Sequence, residues 1–110
     1  LLSSGARALY DLAGIQPDRG REVERCIEVC GLDREGLLVA WLNELLFILE
    51  REGVAFQQFE FPELSDRHVR AQARGVASPQ VPHEVKAATY HSLTVRSRDR
   101  RLEATVVFDV

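Results

Sequence analysis

The segment LLVAWLNELLFILEREG, residues 37–53, decides how this chain folds. Its apolar side chains Leu37, Leu38, Trp41, Leu42, Leu45, Leu46, Ile48 and Leu49 recur at helical spacing and form a broad stripe. That pattern predicts a central helix buried against other elements. Just upstream, Asp33 is placed to cap the first turn and Glu35 to meet its free backbone amides. Downstream, Arg51-Glu52-Gly53 ends the helix, with Gly53 suited to the left-handed position after the last turn. Asn43 and Glu44 interrupt the apolar run, and Asn43 is expected half-buried, hydrogen-bonded at a seam between helix and sheet.

On either side of this helix the periodicity changes to that of strands. Arg21–Val29 alternates, with Val23, Ile27 and Val29 on one face and Glu22, Glu24 and Glu28 on the other, until Gly31 breaks it. Val54–Phe61 reads as a strand rich in aromatic residues, which Pro62 is expected to limit. His68–Val76 sets Val69, Ala71 and Ala73 opposite His68, Arg70, Gln72 and Arg74. Residues 77–83 (ASPQVPH) form a loop, and Leu93–Arg98 with Leu102–Phe108 flank the turn SRDR as a terminal hairpin. The opening LLSSGARALYDLAG lacks the basic leader and cleavage-like site of a signal peptide. It reads as the later part of a helix, with Leu2, Ala6, Leu9 and Leu12 or Ala13 along one side and Gly14 as its stop. Starting uncapped inside an apolar pattern, it leads us to expect a preceding piece. The whole reads as one α+β domain over residues 1–110, compact and two-layered, with helices packed on a mixed β-sheet.

Composition agrees. A chain of 110 residues, 45% of them hydrophobic, can bury a core without staples. No run of 18 apolar residues is present, so no membrane span is expected. The formal charge of −3 is unevenly spread: residues 1–62 carry 6 basic and 11 acidic groups, residues 63–110 carry 8 and 6. An acidic first half argues against binding nucleic acid by bulk electrostatics. Arg96, Arg98, Arg100 and Arg101 cluster around the hairpin turn and are expected to face water, with an RNA or acidic-protein contact as the alternative. Cys26 and Cys30 would share one face of a strand, about 13 Å apart, too far for a disulfide. No second cysteine pair completes a zinc site, so free thiols in a reducing, cytoplasmic setting are expected.

Two stretches carry candidate chemistry. The first is HEVKAATYHSL, residues 83–93. A helical turn or the start of a strand after Pro82 would gather Glu84, Lys86, Thr89, Tyr90 and His91. Lysine with His83 and His91 could take up an anion, or one histidine could carry a proton. A partner-facing surface and plain polar packing are the other two readings; no nucleophile–base pair is visible, and the two histidines lack a metal spacing. The second stretch is the alternating end RLEATVVFDV, residues 101–110. Asp109 there places a carboxylate beside Val110, whose main-chain carboxylate joins it if the chain ends there. Calcium or another hard divalent cation favours such oxygens, while the plain alternative is a polar residue at a frayed end. Neither a glycine-rich phosphate loop, an H-E-x-x-H helix nor a calcium loop occurs.

Taken together, LLVAWLNELLFILEREG, EVKAATYHSLTV and EATVVFDV resemble the archease family, in family order and along essentially the whole chain. The resemblance implies a non-catalytic accessory protein of tRNA splicing and RNA repair. It would activate the RNA-splicing ligase RtcB by promoting guanylylation and turnover, touching RNA only through the ligase. It also implies a metal-binding acidic site that includes Asp109 and Val110. Glu84, Lys86, Thr89, Tyr90 and His91 would border it or face the partner. The family's histidine–threonine–alanine–aspartate motif has no counterpart in these 110 residues, so the resemblance leads us to expect that the family's first strands precede them. A chaperone or general interaction domain for RNA-processing proteins is the alternative. A metal-dependent hydrolase built on Asp109 and His91 is a further one.

Overall fold

The computed structural model describes residues 1–15, 20–77, 85–98 and 101–109. Its organising element starts where Asp33, in extended backbone, accepts a hydrogen bond from the Gly36 amide through Oδ1 at 2.7 Å. That cap satisfies one of the helix's free amides. In chain order the elements are α1 (Leu2–Ala13), β1 (Arg21–Cys30), α2 (Arg34–Glu52), β2 (Val54–Leu64), β3 (His68–Ala77), β4 (Ala87–Arg98) and β5 (Arg101–Asp109). Helix α2 ends at Gly53, whose φ of 66° is left-handed and whose amide donates to the Leu49 carbonyl. All eight residues of the expected stripe are buried, and Val39 with them. The helix is enclosed on several sides, packing against α1, the three strands β1–β3 and β4.

The described ladders are antiparallel. One sheet has the order β1-β3-β2 and the other is the hairpin β4-β5. Together with two helices this is the α+β architecture expected from the periodicity. Strand β3 alternates as its sequence does, turning Val69, Ala71 and Ala73 to the core. Trp41 is fully buried, packs edge-on against Phe59 (ring centroids 5.3 Å) and tilted against Phe61 (5.8 Å), and donates its indole N–H to the Leu2 carbonyl at 3.0 Å. One side chain thus joins α2 to β2 and to the start of α1. Gly75 permits the close pass of β2 over β3, because a Cβ there would run into the Ala55 carbonyl oxygen.

Several boundaries differ from expectation for physical reasons. Ala13 rather than Leu12 completes the buried side of α1, Leu12 being 43% exposed, and Tyr10 joins that side. Gly14 stops the helix as expected, at φ 75°. Pro62 does not end β2, which runs on to Leu64. Between Glu60 and Glu63 the register with β3 slips by one residue, so the proline sits in a bulge. A bulge on a strand with one unpaired side tolerates the missing N–H. Strand β4 begins at Ala87, six residues before the expected Leu93, because residues 87–89 pair with the last residues of β5. Cys26 and Cys30 are free and exposed. Residues 78–83 of the expected proline loop, Glu84, and Asp99 and Arg100 of the turn lie outside the described residues, as do the side chains of Arg96, Arg98 and Arg101.

Candidate functional site

Two polar groupings emerge, one on each sheet. The first unites the sequence's two candidate stretches. In the β4-β5 ladder Ala87 faces Asp109, Ala88 faces Phe108 and Thr89 faces Val107. Ala87 of the motif and Asp109, 22 residues further along the chain, are therefore neighbours in the ladder. Exposed Lys86 immediately precedes β4, and the half-buried Thr89 donates its hydroxyl to the Val107 carbonyl at 2.8 Å. Pairing resumes only at Thr94↔Thr105, so residues 90–93 stand against Val106 alone. Tyr90 and His91 fall in that widened stretch, a kind of irregularity that often lies beside functional sites. The side chains of Tyr90, His91 and Asp109 lie outside the described residues, as do Glu84 and Val110 entirely.

This end of β4 is anchored from below. The Ala88 amide donates to Asn43 Oδ1 at 2.8 Å, and Asn43 Nδ2 donates back to the Ala88 carbonyl at 3.2 Å. Ala88 itself is buried at 4% exposure, and Phe108, Val106 and Ala104 pack half-buried against the core. A side-chain amide thus does for Ala88 what a neighbouring strand would do, meeting both backbone groups at once. The helix–sheet role expected of Asn43 is what the geometry provides.

The second grouping lies on the outer face of the three-stranded sheet and was not singled out in the sequence. His68 on β3 sits between two carboxylates. Its Nε2 is 2.9 Å from Glu28 Oε2 on β1, and its Nδ1 is 3.7 Å from Glu63 Oε2 on β2. Arg70 holds the other oxygen of Glu63 at 2.9 Å. One donor atom from each of Glu28, Glu63 and His68 lies within 4.8 Å of the other two, so the cluster could hold a metal ion. The alternation of β3 marks His68 and Arg70 as outward-facing, but the contributions of β1 and β2 depend on pairing. Glu63 in particular reaches this place through the bulge at Pro62. No local spacing could have revealed it.

These features define a small α+β domain with acidic and histidine side chains grouped on its sheet surfaces. The chain belongs to the archease protein family, whose model matches residues 1–110. Among its relatives, the protein archease of Methanopyrus kandleri is 39% identical over 121 aligned residues, covering 100% of this chain and 84% of that protein. The archease of Methanothermobacter thermautotrophicus is 34% identical, covering 79% of this chain and 66% of that protein. A crystal structure from Thermotoga maritima, described as an archease and possible chaperone, superimposes with a TM-score of 0.70 at 22% identity. It covers 99% of this chain and 80% of that one, and supports the fold.

Proposed function

We propose that this chain is a non-catalytic accessory protein of cytoplasmic tRNA splicing and RNA repair that activates the ligase RtcB. The observation that carries this reading is the β4-β5 register, which brings Asp109 opposite Ala87 and beside the Lys86–His91 motif. In a family member, that neighbourhood unites the two segments to which an acidic metal site and its border are attributed. Asp109 and Val110 would supply oxygen ligands to calcium or another hard divalent cation, with Glu84, Lys86, Thr89, Tyr90 and His91 around it or against the ligase. The cation would contribute charge at the ligase's active-site mouth. The helper would act by placement: small errors in the position of reacting groups cost large factors in rate, so a docked protein can accelerate a step it does not enter. The Asn43 clamp supports this role, because it fixes the backbone of the presenting strand.

The test is guanylylation of the ligase from the same organism, with GTP and manganese, in the presence of this protein or its Asp109→Ala variant. Stimulation by the parent and its loss in the variant is the expected outcome. Equal stimulation by both would overturn the role of Asp109. Absence of stimulation by either folded protein would favour the chaperone reading. That reading draws on the description of the Thermotoga structure and on exposed Leu32, Phe47 and Leu64.

A further inference from the structure

The Glu28–His68–Glu63 cluster lies on a different sheet from the hairpin to which activation is attributed, and its geometry assigns distinct tasks to its members. The 2.9 Å approach of Nε2 to Glu28 is a hydrogen bond, so the neutral imidazole carries its proton there and turns a bare Nδ1 lone pair toward Glu63. At 3.7 Å, Nδ1 and Glu63 Oε2 are too far apart for a hydrogen bond. Two donors sharing a tetrahedral zinc at ordinary bond lengths stand about 3.4 Å apart. Arg70 occupies only Oε1 of Glu63, leaving Oε2 available. A carboxylate on the far nitrogen of a ligating histidine is the usual arrangement for fixing its tautomer and orientation. The backbone of His68 is itself pinned, its amide donating to Ser65 Oγ at 3.1 Å and its carbonyl accepting from the Ser65 amide at 2.8 Å.

We propose that His68 Nδ1 and Glu63 Oε2 bind a borderline divalent cation of the zinc class, with Glu28 on Nε2 orienting the imidazole. Water completes the shell, since all three side chains are partly exposed. A nitrogen donor and so few oxygens suit zinc and disfavour calcium. The bound ion clips β2 to β3 beside the bulge.

The experiment is calorimetric titration of the chain with zinc chloride, in a background where Cys26 and Cys30 are both replaced by serine, so that exposed thiols cannot capture the metal. One zinc per chain is expected, with His68→Gln and Glu63→Gln each weakening binding at least tenfold. Glu28→Gln should weaken it by about tenfold through the loosened imidazole. Asp109→Ala should leave zinc affinity unchanged, which separates this site from the one attributed to the hairpin. Cobalt(II) should give an absorption spectrum that His68→Gln abolishes, with circular dichroism confirming the fold of each variant. Zinc affinity unaltered by both His68→Gln and Glu63→Gln, or zinc lost on replacing the cysteines, overturns the proposal. Displacement of zinc by an equal concentration of calcium overturns the assignment of metal class.

Discussion

The hydroxyl of Tyr10 is buried without a hydrogen-bond partner among the described residues, and burial pushes its pKa up to about 12 from 10.0. The Phe56 backbone opposes that shift only in part, lying outside good hydrogen-bond geometry. In this protein the folded state therefore holds the phenolic proton more tightly than the unfolded chain does. Its contribution to stability is intact below pH 10 and is lost as pH rises from there toward 12. Two units correspond to about 2–3 kcal/mol. Tyr10→Phe should accordingly be neutral or stabilising at pH 7, where it relieves an unsatisfied polar group. It should also lose less stability than the parent between pH 8 and 11. Urea midpoints of the two proteins across that range check this; equal alkaline losses would contradict it. Nothing in the sequence distinguished Tyr10 as buried, because its neighbours Leu9, Leu12 and Ala13 already furnished an apolar side for α1. Depth against β2 decided the matter.

Among the elements, α2 was the most legible, and for a plain reason: its stripe, its Asp33 cap and its Gly53 stop are all local. Trp41 shows what the stripe alone could not. Its burial follows from helical spacing, whereas its bond to the Leu2 carbonyl and its contacts with Phe59 and Phe61 belong to the assembled fold. Trp41→Ala should cost about 3–5 kcal/mol, read from denaturant unfolding, with a cavity left between α2 and β2. A change below about 1 kcal/mol would mean that the surrounding aromatic rings collapse into the space. The strands were legible where one face is buried. They were misjudged where pairing overrode composition, at the polar start of β4 and past Pro62. Site residues divide the same way: the hairpin motif stands out in the chain, while Glu28, Glu63 and His68 acquire meaning only when three strands align.

Across the whole molecule, no described ladder joins the two sheets, and α2 is the element that touches both. Asn43 on α2 fastens β4 to it through two polar contacts. Asn43→Ala would leave the Ala88 amide and carbonyl without their partners, at a cost of about 2–3 kcal/mol. Amide exchange in β4 and β5 should then accelerate relative to β3, which hydrogen–deuterium exchange would register residue by residue. Uniform acceleration would show instead that the two sheets open together. The slips in β2 carry another consequence, for behaviour in a crowded solution. With β3 on one side, β2 has no strand on its other side among the described residues, and a straight strand so placed invites a neighbouring molecule to add itself. The displacement near Gln57 and the proline-bearing one near Glu63 interrupt any such template at two points. The irregularities that shape the histidine cluster therefore also make the β2 edge a poorer template for edge-to-edge pairing.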